Sequence, residues 1–260
     1  MAARLVLVKI GGKAAEDQAA LSNLAEEMRA LAADCSFILV HGGGAEVTSL
    51  SKKLGITSVF VNGLRQTTEK EMDIVDMVLA GKVNKQLVRL LRAHGLDAVG
   101  LSGCDGGILT GKSVGALPDG SRSRTGDIVQ VDDRLVSFLI ERKFLPVISS
   151  PSMDEDGLSL NLNADTAAFG IASRLRCSAL VFLSDIPGLI SEGNVIRELS
   201  ADQAGNLTVT GVITGGMVPK VSASVDALNH GVQTVIIGQY EESGSLKEIL
   251  DGRKGTRIWK

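Results

Sequence analysis

The sequence predicts an α/β fold with a mostly parallel central sheet and helices on both of its faces. Two patterns lead there. Short apolar runs recur at residues 5–8, 37–40, 98–101, 145–148, 179–183 and 234–237, each bounded by glycine, proline or polar residues. Between them lie stretches whose apolar residues repeat at helical spacing, and strands alternating with helices build a parallel sheet covered on both faces. The 30 glycines against 5 prolines suit many tight strand-to-helix connections.

In chain order, Leu21, Leu24, Met28 and Leu31 share one helical face, and Val47, Leu50 and Leu54 open a second helix. Leu135, Val136, Leu139 and Ile140 mark a third. Ala167, Ala168, Ile171, Ala172 and Leu175 mark a fourth, and Val218, Val221, Val225 and Leu228 a fifth. Residues 103–128, rich in Gly, Ser, Asp and Arg, read as a hairpin or flap, and residues 151–163 alternate as a second hairpin. Residues 185–215 read as irregular and as the change from one lobe to the next.

Composition narrows the function. A net charge of −3 and a pI near 5.7 advertise neither nucleic acid nor an anionic membrane. Cys35, Cys104 and Cys177 have no ligand-type spacing and read as small buried hydrophobes. The chain enters a strand within four residues and holds no apolar run long enough to span a bilayer, so a cytoplasmic location is expected.

The chemistry gathers at glycine loops. His41-Gly42-Gly43-Gly44 joins a strand to a helix start, and Gly11-Gly12 follows the first strand just after Lys9. Such loops aim unpaired N–H groups at one spot beside the positive end of a helix dipole, a site for phosphate. Two familiar phosphate motifs do not apply. Gly106-x-x-x-x-Gly111-Lys112-Ser113 matches a P-loop in letters, but Gly115, Pro118 and Gly120 forbid the helix it needs. The trio at 42–44 lacks the third glycine of a dinucleotide fingerprint, because position 47 is valine.

Lys9 reads as a point-charge phosphate ligand. Lys220 follows Gly215-Gly216-Met217-Val218-Pro219 at an expected helix start, where a cation opposes the dipole unless an anion lies nearby. In Asn161-Leu162-Asn163-Ala164-Asp165 the two amides alternate onto one side, either as ligands or as a helix cap. Arg65, after the turn at Asn62-Gly63, is a candidate carboxylate fork.

These segments, taken in order with Gly81-Lys-Val-Asn-Lys85, Val99-Gly-Leu-Ser-Gly103 and Leu183-Ser-Asp185, resemble the amino acid kinase family, and within it the acetylglutamate kinases. The resemblance implies an open three-layer αβα sandwich. It implies one domain with a substrate and dimerisation lobe at 1–176 and a nucleotide lobe at 177–260. The implied reaction moves the γ-phosphoryl group of ATP onto the side-chain carboxylate of N-acetyl-L-glutamate in arginine biosynthesis. Carrier-bound aminoadipate or glutamate is the alternative acceptor. By the same resemblance Lys9 and Lys220 flank the transferring group, and Asp165 holds both. Gly11, Gly12, Gly43 and Gly44 donate backbone N–H groups, Arg65 binds the α-carboxylate, and Asn161 and Asn163 hold the acetamido end. Ser184, Asp185, Leu189, Thr214, Gly216 and Met217 line the nucleotide site, Mg²⁺ rides on the ATP phosphates, and the chain is expected to form a homodimer. The sequence departs from the family's frequent residues at Lys13 and at Ala45-Glu46.

Overall fold

Strands apolar on both faces must be covered on both, and that requirement sets the architecture. In the computed structural model, which describes residues 3–11, 17–61, 63–117, 120–213 and 217–260, eight strands form one sheet. Their order is Glu198–Ser200, Thr256–Trp259, Thr234–Gln239, Ala179–Ser184, Arg4–Ile10, Cys35–His41, Leu145–Ser149 and Ala98–Ser102. The six apolar runs read from the sequence are the six consecutive parallel strands. Thr256–Trp259 runs antiparallel to Thr234–Gln239 and carries Glu198–Ser200 in parallel at the edge.

Each inner strand feeds two cores. Leu7, Ile38, Val40, Leu180 and Phe182 point to one face, against helices Ala164–Arg174 and Met217–Asn229. Val6, Val8, Ile10, Leu39 and Val181 point to the other, against helices Gln18–Ala30, Asn84–Ala93 and Ser245–Leu250. The result is the three-layer αβα sandwich. Burying a side chain such as Phe182 contributes about 1.5–3 kcal/mol.

Local chemistry fixes the helix starts. Asp17 accepts from Ala19 N–H and Ala20 N–H to begin Gln18–Ala30. Helix Ser245–Leu250 follows a glycine with no capping side chain, and Glu27 from a different helix serves instead. The Glu27 carboxylate accepts from the N–H groups of Gly244 and Lys247.

The two predicted hairpins exist, but they do not stand apart. Leu109–Ser113 pairs with Thr125–Val131, Ser152–Met153 pairs with Ser159–Leu162, and the four strands close into a small barrel. The segment expected to be irregular is corrected by the structure. It holds a hairpin of Ile190–Ser191 with Asn194–Val195, the strand Glu198–Ser200 and the helix Ala201–Val209. That helix starts with a capping box, Ser200 and Gln203 each satisfying the other's backbone N–H.

The cysteine expectation holds for Cys35 and for Cys177, whose thiol burial pushes up to about 12, but Cys104 is exposed. Among the described residues no helix is long and apolar enough to cross a membrane.

Candidate active site

At the carboxyl ends of the parallel strands the side chains of three separate elements meet. Lys9 lies in register beside Phe182 and Val40 near the end of its strand. Asp165 occupies the first turn of helix Ala164–Arg174, and Lys220 the first turn of Met217–Asn229. Lys9 Nζ is 2.6 Å from Asp165 Oδ1, and Lys220 Nζ is 3.7 Å from Oδ2. Lys220 Nζ also stands 5.6 Å from the centre of the Phe182 ring. The dipole penalty of a lysine at a helix start is thus offset by a carboxylate of the protein. Among the described residues two ammonium groups share this one carboxylate, so the three side chains together carry a net positive charge that attracts an anion.

The glycine loops border this cluster. Gly11 lies so close to Lys9 that a Cβ there would come within 2.5 Å of Nζ, displacing the ammonium from Asp165. A Cβ on Gly42 would rest 3.5 Å from Ala164 Cβ, which sets the first loop against the helix carrying Asp165. Gly43 has φ of 149°, and a Cβ on it would come within 2.8 Å of Leu79 Cδ2. Gly44 opens helix Gly44–Lys53, whose first N–H groups have no partner within the helix.

The remaining candidates separate. Arg65 is not an open fork. Its side chain is 6% exposed and paired at 2.8 Å with Glu71, itself 1% exposed. One Nη donates to Glu71 and Ser58, and the other donates to Gly44 O at 3.0 Å and Thr48 Oγ1 at 2.7 Å. Arg65 therefore ties the hairpin Phe60–Val61 with Leu64–Arg65 to the glycine loop. Asn161 Nδ2 donates to Thr67 Oγ1 at 2.9 Å. Asn163 is the helix cap, its Oδ1 accepting from Asp165 N–H and Thr166 N–H at 2.8 and 3.1 Å.

Ser184 and Asp185 lie at the carboxyl end of their strand, and Met217 opens the Lys220 helix half-buried. Leu189 differs: its side chain is buried in the core and its N–H donates to Thr256 Oγ1 at 2.8 Å. It packs inside the fold and offers no side-chain surface to a ligand. Gly12, Thr214 and Gly216 lie outside the described residues, as does Lys13. The P-loop lookalike is excluded, because Lys112 and Ser113 sit in a strand.

Sequence reasoning gave no role to His41, which the structure buries at the floor of the glycine loop. Burial lowers its pKa to about 4, with Lys85 and Lys9 acting in the same direction, so the imidazole is neutral above that range. It touches Asn84, 43 positions away, and no local signal in the sequence marks that contact. His94 and His230 bond their own helices' last carbonyls and take no part.

Comparison with known proteins shows the family. The model of the amino acid kinase family matches residues 4–239. The acetylglutamate kinase of Geobacillus sp. (strain WCH70) is 39% identical over 235 residues, 90% of each chain. That of Allorhizobium ampelinum is 38% identical over 275 residues, covering 98% of this chain and 91% of its own. An N-acetylglutamate synthase from Neisseria gonorrhoeae, solved with coenzyme A and N-acetyl-glutamate, superposes at a TM-score of 0.85 and 25% identity. It covers 99% of this chain and 59% of that one. Carbamate kinase from Giardia lamblia bound to AMP-PNP superposes at 0.72 with 17% identity over 100% of this chain and 99% of that one, a likeness of fold. The chain belongs to the amino acid kinase family.

Proposed function

We propose that the protein phosphorylates the side-chain carboxylate of N-acetyl-L-glutamate with ATP, giving the acyl phosphate and ADP, as a step of arginine biosynthesis. The observation that carries this reading is the shared carboxylate: Lys9 and Lys220 face each other across Asp165, beside two glycine loops. Relatives named acetylglutamate kinase over nine-tenths of the chain support the choice of acceptor.

The reaction needs what this site has. A carboxylate acceptor is ionised at neutral pH, so no general base is required. Its oxygen attacks the γ-phosphorus while the bond to the bridging oxygen of ADP breaks. The obstacle is repulsion between anions, and catalysis comes from positioning and charge stabilisation. Lys9 and Lys220 neutralise the equatorial oxygens, and Asp165 keeps the two ammonium groups aimed. Backbone N–H groups of Gly11, Gly12, Gly43 and Gly44 hold phosphoryl and acceptor oxygens.

Arg65 takes the acceptor's α-carboxylate by exchanging its bonds to Gly44 and Thr48, keeping Glu71. Asn161, with the amide nitrogen of Asn163, holds the acetamido end. Ser184, Asp185 and Met217, with Thr214 and Gly216, bind the nucleotide, whose lobe is residues 177–260, and residues 1–176 bind the acceptor. Asp165 is already shared by two cations, so Mg²⁺ would ride on the ATP phosphates and would supply charge neutralisation there. The same reading makes the chain a cytoplasmic homodimer that dimerises through residues 1–176, a state light scattering measures.

The test is an ATP-dependent hydroxamate assay across N-acetylglutamate, glutamate, aspartate and aminoadipate. The expected result is hydroxamate from N-acetylglutamate above the other three. Product from none of the four overturns the proposal.

A further inference from the structure

The side chain of Asn84 is fully buried and held from four directions. Its Nδ2 shares two hydrogens among Val147 O at 2.9 Å, His41 Nε2 at 3.0 Å and Leu101 O at 3.2 Å. Its Oδ1 accepts from Lys85 Nζ at 3.0 Å, and that ammonium also donates to Gly100 O. Two carbonyls on one side and an ammonium on the other allow only one orientation of the amide. An NH₂ group facing Nε2 requires that nitrogen to be unprotonated. The imidazole proton is therefore on Nδ1, which lies 2.9 Å from Gly42 O and donates to it.

A trans peptide puts C=O and N–H on opposite sides. Holding the Gly42 carbonyl against the imidazole turns the Gly43 N–H away from it. Leu79 and Val83 leave no room for a side chain at Gly43: a Cβ there would come within 2.8 and 3.4 Å of them. Both belong to a π-helical segment, Asp76–Val83, that ends where Asn84 begins. Such wide turns recur at functional sites. Here the segment supplies the wall against Gly43 and delivers Asn84 to His41.

We propose that Asn84 is a positioning residue for phosphoryl transfer, acting through His41 to fix the peptide plane between Gly42 and Gly43. The proposal rests on the phosphoryl-transfer reading of the site. Asn84→Asp keeps the shape but reverses the hydrogen-bond logic. A carboxylate accepts from Nε2–H, so a neutral imidazole turns a bare Nδ1 toward the Gly42 carbonyl. His41→Asn retains an amide where Nδ1 stood and does not depend on residue 84.

The expected result for Asn84→Asp is a fall in kcat of about 10–100-fold, as for a misplaced catalytic group. The KM for ATP should stay within about twofold, and melting should fall by a similar amount in both backgrounds, because the new carboxylate oxygen faces the Val147 and Leu101 carbonyls whichever residue stands at 41. In the His41→Asn background the same change should alter kcat by less than about threefold. Equal losses in both backgrounds, or an unchanged kcat, overturn the proposal. A second measurement needs no variant: ¹⁵N NMR of the native protein is expected to show His41 as the Nδ1–H tautomer, and an Nε2–H signal overturns the proposal. The NMR result stands whichever acceptor the hydroxamate assay identifies, so the two readings fail separately.

Discussion

Two cationic regions flank the glycine loop and are built in opposite ways. At Lys9, Asp165 and Lys220, two ammonium groups share one carboxylate, and the side chains keep 13–29% exposure. At Arg65, one guanidinium faces one carboxylate, both almost wholly buried, with Ser58, Thr48 and Gly44 completing the bonds. Among the described residues the first pairs two cations with one carboxylate, and the second pairs one with one. A site left unbalanced in the free protein is one where a ligand supplies the missing charge. A balanced buried pair is first of all structural, and the proposed α-carboxylate binding there requires an exchange of partners.

Substitutions can break that contrast. The largest effect is expected from Arg65→Ala, which strands Glu71 in the interior and should cost about 3–5 kcal/mol of stability, read as a urea midpoint. Arg65→Ala with Glu71→Leu should recover much of it, and a single variant as stable as the parent would show that the pair is not structural. A KM change measured on Arg65→Ala alone would mix folding with binding. Arg65→Lys, which keeps the charge beside Glu71, isolates the clamp and is expected to raise the KM for acetylglutamate but not for ATP.

Next is Lys220→Ala, expected to lower kcat about 10²–10³-fold, the size of losing one preorganised charge contact. Melting should change little, because the variant removes a charge in excess. Rapid-quench kinetics with an intact chemical step and lost acetylglutamate binding would reverse the assignment.

A pH series tests the floor between the two regions. The pKa of His41 is lowered from the ordinary 6.5 to about 4 in the folded state. The unfolded chain binds the proton more readily, so this stability is complete above pH 6.5 and is lost as pH falls toward 4. A difference of about 2.5 units corresponds to roughly 3 kcal/mol. His41→Asn is expected to flatten the stability slope across that window relative to the native protein, and parallel slopes would refute a buried neutral imidazole.

The smallest effect is a control. Lys247 and Asp251 form an exposed pair one helical turn apart. Lys247→Ala should cost only about 0.3–0.5 kcal/mol, and a loss comparable to Arg65→Ala would mean that burial does not separate the two kinds of ion pair.

The six parallel strands were legible as short apolar runs, five of them because they lie inside the sheet and are covered on both faces, with Ala98–Ser102 at its edge. Glu198–Ser200 and Thr256–Trp259 were not, since these short strands alternate exposed and buried residues. The helix Ala201–Val209 announced itself in Ser200 and Gln203, a local signal that the irregular reading passed over. Lys220 was legible through its conflict with the helix dipole. Arg65 read as a candidate carboxylate fork after a turn, and the sequence does not show the burial that closes Glu71 around it. Closure of the two hairpins into a barrel also left no local mark.

The alternation of strands and helices, the glycine loops and the lysines, carboxylate and amides of the candidate site can be read from residue order alone. These follow from local propensity, periodicity and backbone freedom, which act over a few residues. Tertiary structure alone decided which charges share a carboxylate, which arginine is spent internally, and which nitrogen of His41 carries the proton. Those depend on desolvation and on groups tens or hundreds of positions apart, and such distances carry no local signal.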